Sequence, residues 1–240
     1  MTEYTGVHNL EVMRLALNYN RHLCEIVRRH DPGTGPAIDF GAGLGTFSGC
    51  ALGGRARVLC IEPDSDLRTH LQATGYRAAD ATREIPENSV AYIFSLNVLE
   101  HIADDAAVLR DLTRCMQPGG RLVLYLPAFK VLYSSMDQKV GHYRRYNVAG
   151  ISSLLTEAGL HVVTARYEDF LGFFATLIFK WTDQRRVGDI NARALLLYDR
   201  FLFPISRALS RVFGRWLGKN LFVVAEKNPG AGTHPDAPPF

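Results

Sequence analysis

AIDFGAGLGTF, residues 37–47, runs from an apolar stretch holding one acid into Gly41, Gly43 and Gly45, then Thr46 and Phe47. The apolar run reads as a buried strand, and glycines at its exit permit a tight turn and close approach of backbone to a ligand. A glycine loop can also serve only to pack a strand against a helix, so its spacing matters. Dinucleotide folds use GxGxxG, with the third glycine three residues after the second, to seat a pyrophosphate on a helix N-terminus. Here the third glycine follows the second by two residues, and position 46 is Thr. Asp39, two residues before Gly41, would repel a pyrophosphate. The loop therefore favours a ligand that carries positive charge and no phosphate.

Outward from this stretch, strand-like and helix-like segments alternate. GPAIDFG (35–41), RVLCIEP (57–63), VAYIFSLNV (90–98) and RLVLYLP (121–127) read as buried strands. Helices are expected over 46–52, 65–73 and 104–116, the last stopped by QPGG. After a helix over 151–158, HVVTARYE (161–168) reads as the sixth strand and NLFVVAEK (220–227) as the seventh. Residues 8–30 have helical apolar spacing and end in RRH, a basic helix C-terminus. The pattern predicts an α/β fold: a doubly wound, seven-stranded, mostly parallel sheet covered on both faces. Residues 1–227 are expected as one domain, with an N-terminal cap helix (1–30) and a helical insert (170–218) before the last strand. NPGAGTHPDAPPF (228–240), rich in proline and glycine, is expected to be disordered.

The chain's 240 residues, 47% apolar and 21% charged, suit one domain whose core needs neither metal nor disulfide. Cys24, Cys50, Cys60 and Cys115 lie far apart with no CxxC, so reduced, mostly buried thiols and no metal site are expected. No charged-then-apolar leader is visible. The longest apolar run, FLGFFATLIF (170–179), is half of the ~20 residues a membrane span needs. A soluble, cytoplasmic protein is the expectation. Between Lys180 and Lys219 nine basic residues face three acidic ones, so this segment carries +6 and the rest of the chain −3.

Two further carboxylates complete the ligand edge. Glu62 ends the second strand, 21 residues beyond Gly41, where it could accept both ribose hydroxyls. Asp80, in RAADA after the predicted third strand, could meet an exocyclic amine of adenine. DFGAGLG, IEPD, AADA and SLNVLEHI…LRDLTRCMQPGGRLVLYLP together resemble the class I S-adenosylmethionine-dependent methyltransferases of the small-molecule type. The resemblance covers about residues 30–170 and the last strand. It implies S-adenosyl-L-methionine as cofactor on a Rossmann-like fold, with the three glycines cradling its methionine part and Asp39 near its ammonium. Glu62 would hold the ribose, Asp80 the adenine, and Asn97 the methyl end. LNYN (17–20) is similar to the cap of such enzymes, with Tyr19 helping to close the site.

DQKVGHYRRY (137–146) follows the fifth strand and resembles the GHxRRY segment of one bacterial branch of these enzymes. In this fold that connection implies a lid over the methyl acceptor. His142 is a candidate base, as is His101 of LEHI, whose alternative is a pocket-wall role. Glu100 is expected as a helix N-terminal charge. Tyr133, Tyr143, Arg144, Arg145 and Tyr146 complete the substrate side. One arginine is expected to contact an anionic group and the other to pair with Asp137 or a helix end. The implied reaction is methylation, oxygen favoured over nitrogen, of a natural-product, glycan or lipid-linked acceptor with an anionic group. A nicotinamide dehydrogenase would need GxGxxG, and a silent cofactor-binding module would need no polar lid. No nucleic-acid partner is expected, because no base-flipping segment follows the fourth strand.

The insert carries Phe201, Ile205, Leu209, Val212 and Trp216 on one side and Arg207, Arg211 and Arg215 on another. Packing of this segment on the core or on a second copy is the plainer expectation. An acceptor pocket or peripheral contact with anionic lipid through 193–217 is the alternative. A break at Pro204 is expected, and the chain as a monomer or homodimer.

Overall fold

The computed structural model describes residues 12–182 and 192–229. Its strands are β1 (Ala37–Phe40), β2 (Val58–Ile61), β3 (Arg77–Ala79), β4 (Val90–Leu96), β5 (Met116–Pro127), β6 (Leu160–Glu168) and β7 (Asn220–Lys227). They form one sheet in the order β3-β2-β1-β4-β5-β7-β6. The first five pair in parallel, and β7 lies antiparallel between β5 and β6. The chain winds outward from β1 to β3, then returns to lay β4 on the other side of β1. That reversal opens a crevice at the C-terminal ends of β1 and β4, where such sheets bind ligands.

Helices α1 (Leu17–His30), α2 (Ser65–Ala73), α3 (Asp105–Cys115), α4 (Ser135–Lys139), α5 (Val148–Glu157), α6 (Phe170–Thr182), α7 (Ala192–Leu197) and α8 (Phe203–Phe213) surround the sheet. Strand β5 shows why the strands read as apolar runs. Leu122, Leu124 and Leu126 enter one core with Leu109 and Leu112 of α3 and Ile151 and Leu155 of α5. Val123 and Tyr125 enter the other, with Leu23, Ile26 and Val27 of α1. Both faces are dry, so the period-two alternation of a one-sided sheet is lost.

Four expectations change. The helix expected over 46–52 is a single 3₁₀ turn, Ser48–Cys50, set among Gly45, Gly49 and Gly53. The four thiols are not all free: Cys24 of α1 and Cys50 of that turn are disulfide-bonded, with Cα atoms 5.2 Å apart, while Cys60 and Cys115 stay free and buried. That Cα spacing is what a disulfide requires, and sequence spacing alone could not reveal it. The N-terminal helix is interrupted by a turn at Arg14 and Leu15, and residues 8–11 lie outside the described residues. Pro204 sits in the first turn of α8, where its missing N–H costs nothing, and a π-helical turn (Tyr198–Leu202) runs into α8 without a gap. The tail expected from 228 lies outside the described residues from 230 on.

The insert buries Phe203 but leaves most of its apolar side outside. Ser206 and Ser210 of α8 are buried, whereas Phe201, Ile205, Val212 and Trp216 are exposed. The serines point inward because α6 needs them there. Ser206 and Ser210 accept the backbone N–H groups of Leu171 and Phe170, and Asp169 accepts that of Gly172. These are orphan donors of a helix N-terminus. The apolar side expected to pack on the core therefore faces outward, with Arg200 and Arg215 lying over the rings of Phe201 and Trp216. Phe174, Ile178 and Trp181 of α6 are exposed as well. Among the described residues no helix is long and apolar enough to cross a membrane.

Candidate active site

The glycine loop leaves β1 at the sheet crevice. Gly41, Gly43 and Gly45 all take positive φ, at 78°, 54° and 74°. A side chain at Gly41 would sit 2.4 Å from a methyl of Val98, which follows β4, so only glycine lets the two strand ends meet. Asp39 is buried, and the Ser48 hydroxyl donates to it at 2.6 Å. Burial pushes its carboxyl up to about 7, Ser48 opposes the rise, and Glu62 adds to it. Glu62 is also buried; it accepts the Gly43 N–H at 2.8 Å and the Asp64 N–H at 3.0 Å. Burial raises its carboxyl too. Two acids held in a crevice against their charge suit a cationic, hydroxyl-bearing ligand. Asp80 stands apart from this pair, exposed and paired with Arg83 at 2.6 Å.

Helix α1 brings Tyr19 to the end of β4. Asn97 follows β4 with φ 55°, a conformation seldom held by a residue other than glycine, and its Nδ2 donates to the Tyr19 hydroxyl at 3.3 Å. Tyr19 packs edge-on against Tyr125 and Phe203. Helix α1 has no capping side chain of its own at Ala16. Asp199 supplies one from the insert, accepting the N–H groups of Asn18 and Tyr19 at 2.9 and 2.8 Å. The Cys24–Cys50 bond then ties α1 to the turn after the glycine loop.

DQKVGHYRRY is not wholly a loop. Its first three residues end α4, where Ser134 and Asp137 form a capping box. Asp137 also gathers the side chains of the loop beyond α4. His142 Nδ1 lies 2.7 Å from its Oδ1, and Arg145 grips both oxygens at 2.8 and 3.0 Å. Burial alone would raise Asp137, but His142 and Arg145 hold it down to about 2. Arg145 is thus the structural arginine, its side chain 6% exposed. Arg144 pairs with Asp105 at 2.8 Å and keeps a third of its side chain exposed. Tyr146 is buried and donates to Asp105 at 2.9 Å, so it belongs to the core. The Tyr133 hydroxyl donates to the backbone of His142, and Tyr143 is exposed.

Glu100 does not serve the helix end expected of it. Helix α3 is capped by Asp104, and Glu100 lies in the earlier 3₁₀ turn Leu99–His101, 0% exposed. Burial pushes its carboxyl up to about 8. His101 and His142 pack ring to ring beside it, centroids 4.6 Å apart. Burial, then the neighbouring His142, lower His101 to about 4, which keeps it neutral. No sequence signal marks Glu100, because its burial depends on the segment around His142, 42 residues later. A separate basic cleft of about 370 Å³ lies between α1, β6 and α8, among Arg28, Arg29, Arg166, Arg207 and Arg211. None of the expected site residues lines it.

Residues 38–124 match the family model described as "Methyltransferase domain". A Mycolicibacterium smegmatis protein named "Probable S-adenosylmethionine-dependent methyltransferase" is 27% identical over 161 residues, which take in 64% of this chain. The match spans 60% of that relative's length. Among solved structures, an S-adenosylmethionine-dependent methyltransferase of Thermotoga maritima superposes with a TM-score of 0.63 at 13% identity, over 93% of this chain and 99% of that one. A Haemonchus contortus phosphoethanolamine N-methyltransferase, solved with S-adenosylmethionine, gives 0.55 at 18% identity, over 88% of this chain and 52% of that one. Similarity at that level speaks for the fold. The matched segment spans β1 to β5, with the glycine loop, Asp39 and Glu62 inside it. Residues 38–124, the half of the sheet that carries the glycine loop, thus resemble a methyltransferase domain in sequence, and the whole fold resembles S-adenosylmethionine-dependent methyltransferases.

Proposed function

We propose that the chain transfers a methyl group from S-adenosylmethionine to an oxygen of a small natural-product, glycan or lipid-linked acceptor bearing an anionic group. The observation that carries this is the convergence of Asp39, Glu62 and the Asn97–Tyr19 pair at the β1/β4 crevice, with a histidine pair just beyond β4. In this reading Asp39 holds the cofactor's ammonium, Glu62 its ribose and the glycine loop its backbone. The bound cofactor brings an already activated methyl, so the protein's task is to align the acceptor and exclude water. A hydroxyl acceptor must lose a proton. His142 Nδ1 lies 2.7 Å from the Asp137 carboxylate, which fixes the ring and leaves Nε2 as the atom for a base role. Arg144 is the arginine an anionic group can reach. The outward apolar face with its arginines suits peripheral contact, through 193–217, with the anionic surface of a membrane facing the cytoplasm. An apolar tail on the acceptor would share that surface.

Replacing Glu62 by Ala tests the cofactor site. Calorimetry should show S-adenosylmethionine binding weakened by about 10- to 100-fold, the value of hydrogen bonds to a charged group, with the circular dichroism spectrum unchanged. Unaltered affinity would refute the site. A product methylated on nitrogen would overturn the choice of acceptor atom alone.

A further inference from the structure

We propose that Glu100, His101 and His142 form a binding site for one divalent transition-metal cation. One ligand atom from each lies within 4.8 Å of the others. A metal with ligands at about 2.1 Å spans roughly 3–4 Å between them, so shifts of under about 1 Å close the set. The second, independent observation is Glu100 itself. It is 0% exposed, and among the described residues neither of its oxygens has a hydrogen-bond partner from another residue, His142 Nε2 standing off at 3.8 Å. A buried carboxyl without partners is costly, and a neutral one would still leave oxygen lone pairs unsatisfied. A cation satisfies them.

The surroundings are those of metal ligands. His142 Nδ1 is held by Asp137, so Nε2 faces Glu100 Oε1 at 3.8 Å. The ring of His101 is hydrogen-bonded to the backbone of Val140, which sets its orientation. Outer hydrogen bonds of this kind fix the tautomer and orientation of ligating histidines. Two imidazoles and one carboxylate suit zinc, cobalt, manganese or ferrous iron better than calcium. Three protein ligands leave a position open, and an acceptor oxygen is the group that would fill it; with the ion bound, His142 Nε2 is a ligand and the ion, in its place, makes an acceptor hydroxyl acidic. This use of the ion rests on the proposed methyl transfer; its binding does not.

The test uses the full chain, free of any affinity tag and dialysed against a chelator, titrated with Co²⁺ while visible absorption is recorded. One equivalent should produce ligand-field bands that Zn²⁺ abolishes. His142→Ala and Glu100→Gln should each weaken binding at least tenfold, while replacing the exposed His161 by Ala should leave it unchanged. Calorimetry with S-adenosylmethionine on the same samples separates the two readings. Cofactor binding without cobalt bands would overturn the metal site and leave the methyltransferase reading standing. Cobalt bands without cofactor binding would do the reverse. Bands that persist in both variants would also overturn the site. Should Glu100→Gln fail to fold, the more accessible His142→Ala alone decides.

Discussion

At the scale of single residues, Asp39 is the buried acid on which the proposed cofactor site rests. Its carboxyl sits at about 7 because it is buried, with Ser48 opposing and Glu62 adding to the rise; Cys60 lies on the other side of Ser48. Its folded value lies above its unfolded one, so from this group alone stability falls as pH rises from about 4 to about 7, then levels. A cationic cofactor prefers the ionised form, so its affinity moves the other way. Calorimetry should show S-adenosylmethionine binding tightening up to tenfold per pH unit below about 7 and flat above it. Asp39→Asn should bind more weakly and lose that slope; a slope that survives would place its cause elsewhere. Asp39 and Glu62 were legible in the sequence because each ends a recognisable strand. An arginine on Asp137 was legible too, but not which one, and the state of Glu100 was not, since it is set by contacts with a segment far along the chain.

At the scale of elements, the cap helix α1 is held from two sides, and neither hold is visible in local sequence. One hold is the Cys24–Cys50 bond, which closes a separation of 26 residues. Loops of that size are worth about 3 kcal/mol when cross-linked. Cys24→Ser should therefore lower the midpoint of urea unfolding under oxidising conditions, and added reductant should bring the wild type to the same value. Equal midpoints would show the bond to be silent. The other hold is Asp199, which caps α1 from outside it. Asp199→Ala should cost about 1–2 kcal/mol, the usual value of an N-cap, in the same unfolding measurement. A helix and its strands announce themselves by local periodicity. A staple and a cap in trans depend on which parts of the chain meet.

For the whole molecule, the doubly wound, mostly parallel sheet was legible in alternating strands and helices, because that alternation leaves few topologies open, whereas the place of β7, antiparallel between β5 and β6, was not. The orientation of the insert did not follow. Its amphipathic pattern was visible, but which side faced inward was decided by serines serving the start of α6. Phe201→Glu with Trp216→Glu should leave the unfolding midpoint within about 0.5 kcal/mol of wild type, as exposed substitutions do. The pair should reduce co-sedimentation with anionic vesicles at low salt. A wild-type chain that stays in the supernatant would remove the membrane contact. Asp199 stands in this same insert while gripping the backbone of Asn18 and Tyr19. Occupancy of the outer face and occupancy of the cofactor crevice thus bear on one helix, and any coupling between them is reciprocal. If vesicles tighten cofactor binding by some factor, cofactor must tighten vesicle binding by that same factor, so a measurement at either face reads the state of the other.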